Sequence, residues 1–410
     1  MQEDIMSDKE YQSRRPLMCK APWSQLNIGP MGDLKMCTVG KKHGAFIYEV
    51  DSLTDYFNSD VINDIRNSFI NKKWHKSCVT CEYNRDNGIP AHLDNDHYTR
   101  LPWTDENFNA ERKQILSLEY TPSNLCNQSC AMCGSIYSSK WIGYDKQAKA
   151  EGLEFRENSG LTNLHSKAFQ ASEHDLQKIL EILPNIKFLL IKGGEPFADP
   201  RNIRILKEIV DKKYEMGILI VSNWAVITEE IWDILEQLSK NPNIYLQVTA
   251  SIDGTDKVYE WIRSTPYEKT LENMETYLRR TGNRVMVSST VSLYTMWTLT
   301  ETANKLLDTG LIANIAYQYV FLPKYSSYEM IPQTQIDELV KGFFNNPAYV
   351  SDSKFFERTE RMKVIKHTAN ANDYSNALRW IDYMNKLRGF NIYDYNPRLA
   401  EWAEHAKTVL

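Results

Sequence analysis

Residues 118–134 read LEYTPSNLCNQSCAMCG. The run QILSLEYTP from Gln114 is β-forming and stops at Pro122, which predicts a strand. Cys126, Cys130 and Cys133 follow at once with the spacing C-x3-C-x2-C. Active-site groups of barrel and open α/β folds sit in loops at the carboxyl ends of parallel strands. Three thiolates on one tight loop can ligate three irons of a four-iron cluster and leave the fourth iron open to a substrate. A closed zinc site needs a fourth ligand, and His165 is the distant candidate.

Downstream the pattern repeats. IKFLLIKGG, GILIVSN, IYLQVTASID, VMVSSTVSLY and IANIAYQYVFL are nearly continuous apolar runs, as in parallel strands covered by helices. Helical segments alternate with them: SEHDLQKILEILP, PRNIRILKEIVDKKYE, TEEIWDILEQLSK, YEKTLENMETYLRRTG and LTETANKLLDTG. In the first, Leu176, Ile179, Leu180 and Leu183 share a face, Ser172 caps the start and Pro184 ends it. Roughly six β-α units predict an α/β fold, a partial (β/α)6 TIM-like barrel, with a doubly wound sheet as the alternative. IDELVKGFF and YSNALRWIDYMNKLRG predict a helical C-terminal region. Upstream, WSQLNI and GAFIYEV are strand candidates and YFNSDVINDIRNSFI a helix. RDNGIPAHLDNDHYTRLPWTDE reads as a linker. The expected division is 1–100 for a small N-terminal cysteine module with its linker, 112–325 for the barrel and 326–410 for the helical extension.

The chain has 410 residues, 42% of them hydrophobic, and a net charge of -5. A folded core follows, and general nucleic-acid binding does not. No apolar run reaches membrane-spanning length, and the polar first residues carry no signal-peptide core, so a cytoplasmic, membrane-free protein is expected. Seven cysteines, an odd number, argue against a closed disulfide framework. Three are in the loop above. The other four are Cys19, Cys37 and the C-x2-C pair Cys78 and Cys81, a metal knuckle that suits zinc or an iron–sulfur cluster.

Three further strand ends carry polar groups. LLIKGGEPF puts Gly193, Gly194, Glu195 and Pro196 after the second strand. Two glycines expose backbone carbonyls there, and Glu195 adds an acceptor for a cationic amine. IVSN ends the third strand at Ser222 and Asn223, and VTASIDG ends the fourth at Ser251 and Asp253. Asp253 with Gly254 also suits a plain turn. VYEWIRSTPYEKT carries Arg263, whose fork suits a carboxylate or pairs with a surface acid.

The three-cysteine loop after strand one, with Gly193-Gly194-Glu195-Pro196 one strand later, resembles the radical S-adenosylmethionine (radical SAM) superfamily. The resemblance implies a [4Fe-4S] cluster on Cys126, Cys130 and Cys133. It also implies S-adenosylmethionine chelated by the open iron, and cleavage to a 5'-deoxyadenosyl radical. It assigns the methionyl amine to the Gly-Gly-Glu-Pro turn, the ribose and substrate region to Ser251 and Asp253, and the methionyl carboxylate to Arg263. Ser222 and Asn223, at the end of the third strand, are placed where polar side chains can face the cofactor. The set APW…L.I…G.L..C with Cys19, Cys37, Cys78 and Cys81 resembles the SPASM/twitch module, which implies an auxiliary [4Fe-4S] cluster. That module usually follows the barrel, whereas here it precedes it.

A fully thiolate-bound auxiliary cluster suits electron transfer and hence a net oxidation of a peptide or small-molecule substrate. Flavodoxin or ferredoxin would donate the first electron. Redox-neutral rearrangement or group transfer is the enzymatic alternative, and a zinc-scaffolded interaction protein the non-enzymatic one. Ser292 or Tyr294, and either Gln318 or the pair Tyr317 and Tyr319, are candidates to line the cavity.

Overall fold

The computed structural model describes residues 17–41, 44–86, 91–92, 109–111, 113–162, 169–345 and 367–410. His165, most of the expected linker and both proposed boundaries at 100 and 112 lie outside them.

Among the described residues, eight strands form one sheet: β1 (Gln25–Ile28), β2 (Leu34–Lys35), β3 (Ser117–Tyr120), β4 (Phe188–Ile191), β5 (Met216–Ser222), β6 (Ile244–Ser251), β7 (Val285–Val291) and β8 (Ile312–Tyr319). Their spatial order is β2-β1-β3-β4-β5-β6-β7-β8. From β3 to β8 every pair is parallel and the order follows the chain. A doubly wound sheet reverses its order at a switch point. This one does not, so the partial barrel is correct.

The expected helices are present between the strands. Glu173–Ile182 starts on a capping box of Ser172 and Asp175 and ends in a short 3-10 turn at Leu183–Asn185. Beyond the barrel come Gln333–Phe344, Ala371–Arg388 and Pro397–Val409. No helix among the described residues is long and apolar enough to cross a membrane.

Two features differ from the sequence reading. WSQLNI does give β1, but β1 pairs parallel with β3, Gln25 opposite Ser117 and Ile28 opposite Tyr120. The N-terminal cysteine region therefore shares the barrel's sheet and does not merely pack beside it. GAFIYEV is not a strand: it makes one bridge, Asp33 to Phe46, and a 3-10 turn at Ile47–Glu49.

Side chains alternate across the sheet with a period of two. Leu118, Tyr120, Leu189, Ile191, Ile218, Ile220, Val287 and Ile315 are buried and belong to the helix-packed core. The opposite face carries Leu190, Leu219, Val221, Ser251, Met286, Ser288, Thr290 and Asn314, all half-buried, and the exposed Gln318. This is the open inner face. Gln318 is thus on the cavity side, whereas Tyr317 packs on Phe343 and Tyr319 on Tyr328. Ser292 and Tyr294 are fully buried, with Tyr294 against Trp261, so they serve packing and not the cavity.

Candidate active site

The loop after β3 is held from outside by its backbone. The indole of Trp141 donates to Cys130 O at 3.0 Å, Trp380 to Ala131 O at 3.2 Å, and Arg156 Nη2 to Cys133 O at 2.7 Å. Ala131 N–H donates to Ile262 O at 2.8 Å, and Ser129 N–H to Ser264 Oγ at 2.9 Å. Arg156 is buried between the rings of Trp141 and Trp380, 4.2 and 4.3 Å from their centroids, and paired with Asp145 at 2.6 Å. The three thiols are free and half-buried. Burial, and then the neighbouring Cys130, push the Cys126 thiol up to about 12. Burial also raises Cys133 and Cys130, with Arg263 opposing it at Cys130. Metal-free, these sulfurs are protonated at neutral pH, and a bound cluster must displace the protons.

The Gly-Gly-Glu-Pro turn lies directly on this loop. Gly193 and Gly194 have φ of +79° and +54°. A Cβ on Gly194 would sit 2.5 Å from Leu125 O, and one on Gly193 2.3 Å from Thr121 Cγ2. Only glycine permits both the left-handed backbone and this approach. Glu195 N–H then donates to Leu125 O at 2.7 Å. The Glu195 carboxylate is buried and ties strand ends together: Oε1 accepts from Ser222 Oγ at 2.7 Å and from Phe197 N–H at 3.1 Å, and Oε2 from Asn223 N–H at 2.7 Å. Burial nevertheless raises its pKa to about 7. With three acceptor directions used, one is left on Oε2 for an incoming amine. Pro196 is buried at the start of a 3-10 turn. Asn223 also reaches the cysteine loop, 2.7 Å from Asn127 Oδ1 and 4.0 Å from Cys126 Sγ.

Arg263 is paired with no surface acid. It ends the Asp256–Arg263 helix and meets the fully buried Asp253, Nη2 to Oδ2 2.6 Å, while its Nη1 lies 3.7 Å from Cys130 Sγ. Asp253 Oδ1 accepts from Thr290 N–H at 2.6 Å. Arg263 Nε is buried without a hydrogen-bond partner. Ser251 stands on the open face, half-buried.

Cys19, Cys37, Cys78 and Cys81 line one cavity with Met36, Phe69, Trp74 and His92. All four are buried and free. Burial raises Cys37 and Cys78 to about 12, and lifts Cys19 well above its ordinary value. Cys78 and Cys81 stand in one turn, where Cys81 N–H donates to Cys78 O at 3.0 Å. The buried Glu119 of β3 joins the two cysteine regions: it accepts from Thr38, next to Cys37, and pairs with Lys192, next to Gly193.

Among the described residues, no three or more His, Cys, Asp and Glu side chains gather closely enough to hold a single metal ion. One zinc needs its sulfurs about 2.3 Å from one centre. Sets of three and four thiols are also the donor sets of iron–sulfur clusters, which spread ligands over several irons. Three half-buried thiols beside an unpartnered Arg263 Nε and a free Glu195 acceptor direction suit a cluster with an exchangeable ligand; four buried thiols around a cavity suit a closed one.

Sequence reasoning missed Trp141, Arg156, Trp380, Arg388 and Glu119. Two of them, Trp380 and Arg388, lie in YSNALRWIDYMNKLRG, which the sequence marks only as helical.

The family profile described as "Radical SAM superfamily" matches residues 120–306. No curated relative matches. Similar solved structures include "Native anSMEcpe with bound AdoMet", with 14% identity, 59% of this chain and 63% of that chain covered and a TM-score of 0.41. "Crystal structure of Streptococcus suis SuiB" has 15% identity, 78% and 67% coverage and a TM-score of 0.38. A radical SAM methyltransferase from Sphaerobacter thermophilus has 16% identity, 35% and 46% coverage and a TM-score of 0.26. Likeness at these scores carries no functional argument, and this chain spans less than two thirds of the anSMEcpe chain. The profile match covers the end of β3, the cysteine loop, the Gly-Gly-Glu-Pro turn and the Asp253–Arg263 pair, so residues 120–306 carry a radical SAM domain, the catalytic domain of a superfamily of enzymes.

Proposed function

We propose that the chain reductively cleaves S-adenosylmethionine at Cys126, Cys130 and Cys133 and abstracts hydrogen from a peptide or small-molecule substrate, with net oxidation. The observation that carries this is convergence. The Gly-Gly-Glu turn after β4, Asn223 after β5 and Arg263 at the end of the helix after β6 all reach the cysteine loop, at Leu125 O, Cys126 Sγ and Cys130 Sγ. When bound, the clusters supply the electron chemistry: one electron in to cleave the sulfonium, one electron out from the substrate through the four-thiol site.

The protein's own residues do the rest. Glu195, fixed by Ser222, Phe197 and Asn223, offers its remaining Oε2 direction to the methionyl amine. Arg263, held by Asp253, offers Nε to the carboxylate as a charge-assisted donor. The half-buried inner face, with Ser251, Ser288, Thr290 and Gln318, orients the substrate and keeps bulk water from a reactive radical. Cys19, Cys37, Cys78 and Cys81 hold the auxiliary cluster, in a SPASM/twitch-like role on the N-terminal side of the barrel. A flavodoxin- or ferredoxin-like protein supplies the first electron.

Anaerobic reconstitution tests the reading. Two clusters give about eight irons per chain, and dithionite with S-adenosylmethionine yields 5'-deoxyadenosine. A colourless protein holding zinc, with no deoxyadenosine, would sink it. Net oxidation further requires one deoxyadenosine per product; S-adenosylmethionine recovered unchanged after many turnovers contradicts that part.

A further inference from the structure

Three arginines approach the backbone or a sulfur of the cysteine loop, and their charges are balanced differently. Arg156 has Asp145 at 2.6 Å, and Arg263 has Asp253 at 2.6 Å. Arg388, at the end of the Ala371–Arg388 helix, is half-buried and forms no ion pair with a carboxylate among the described residues. Its fork is spent on neutral acceptors: Nε donates to Trp261 O at 2.7 Å, Nη1 to Ser129 Oγ at 3.2 Å, and Nη2 to Ser129 O. Ser129 directly precedes Cys130, so the guanidinium stands against the backbone beside that ligand.

A buried cation without a counter-charge is costly, and removing one member of a buried pair is destabilising for the same reason. A cluster held by the adjacent Cys130 would bring negative charge beside this guanidinium. The same helix grips the loop again through Trp380 on Ala131 O, and the neighbouring strand-end helix through Trp261 Nε1 on Asn385 Oδ1 at 2.8 Å. Its Tyr383 hydroxyl donates to Tyr144 O at 2.9 Å. The C-terminal extension is thus fastened to the cysteine loop from behind, 259 residues away in sequence.

We propose that Arg388 is a positioning residue and the standing counter-charge for the three-cysteine cluster, so that docking of the Ala371–Arg388 helix and cluster binding stabilise each other. The inference rests on the cluster assignment above. Linkage makes it reciprocal: whatever tightens the helix tightens the cluster, by the same factor. Assembly exchanges three protons on the thiols for an iron–sulfur core, with no further co-reactant.

The test compares full-length wild type, R388Q, R388K and the C126A/C130A/C133A variant, each reconstituted anaerobically. Iron, loss of cluster to a chelator, cluster midpoint potential, melting of the iron-loaded and iron-free forms, and hydrogen exchange over residues 371–388 are measured. In R388Q, chelator removal of the triad cluster speeds up about 10-fold or more, as for an outer-shell partner. The potential falls, because a nearby positive charge is gone. The melting gap between loaded and iron-free protein narrows. R388K, which keeps the charge and loses the fork, recovers the potential more than the retention. Residues 371–388 exchange faster in the triple variant than in wild type.

If the triple variant keeps the same iron and cluster signal as wild type, the cluster reading itself fails. If it loses one cluster but residues 371–388 exchange as in wild type, and R388Q keeps wild-type retention and potential, the coupling is overturned. An R388Q protein that fails to fold even without iron, with R388K matching wild type in every readout, also overturns it.

Discussion

The two cysteine sites stand on one sheet yet are built in opposite ways. The N-terminal four thiols are buried in an apolar pocket beside Phe69 and Trp74. The three thiols after β3 are half-buried, with guanidinium groups, an amide and a carboxylate close by. A site closed by four sulfurs has no vacancy for an exchangeable ligand; one with three sulfurs and polar surroundings is made to take one. Chain order does not separate them, because β1 places the first set against the second through β3. Their shared contact is Glu119, between Thr38 and Lys192.

Breaking one site at a time tests that contrast most severely. Replacing Cys126, Cys130 and Cys133 by Ala should abolish deoxyadenosine formation and remove about four of eight irons. Replacing Cys78 and Cys81 should remove the other four and leave reductive cleavage measurable by chromatography. The next largest effect is expected at the turn that joins cofactor to cluster. Gly194→Ala forces a Cβ to within 2.5 Å of Leu125 O at a φ of +54°. A displacement of that order should cost about 100-fold in deoxyadenosine rate, while the iron of the four-thiol site is unchanged.

A smaller effect concerns stability. Asp253→Asn leaves Arg263 buried without its counter-charge, and loss of one partner from a buried pair costs about 3–5 kcal/mol; denaturant unfolding of the iron-free protein measures it. The smallest is a pH dependence. Burial raises Glu195 to about 7 in the fold, above its ordinary value. The folded state therefore holds a proton that the unfolded state releases at lower pH. This group's contribution falls as pH rises from the ordinary carboxyl value through about 7, and is lost above it. Iron-free wild type should melt higher at pH 6 than at pH 8, and E195Q should flatten that difference.

The strands were legible because parallel strands buried between layers read as apolar runs between turn residues, and all six predicted barrel strands are present. The triad and the Gly-Gly-Glu-Pro turn were legible because their chemistry sits in short contiguous motifs. Strand register was not. Such runs are apolar on both faces, so periodicity does not say that Gln318 and not Tyr317 faces inward. The partners of Arg388 and Arg156 were hidden for another reason. Ser129 is 259 residues from Arg388, and Tyr325 is 169 from Arg156. Glu195 was read as a pure ligand for an amine. The structure shows it first as a tie between strand ends, a role set by Ser222 and the Asn223 amide.

Under the proposed function, the three-thiol site takes S-adenosylmethionine at an open iron and the four-thiol site is closed to it. Electron paramagnetic resonance of the reduced, reconstituted protein, with and without S-adenosylmethionine, tests it most directly. The account predicts that the signal lost in the C126A/C130A/C133A variant is the one that shifts on addition, while the signal of the four-thiol site is unmoved. A shift that survives in that variant, or no shift in wild type, would contradict it.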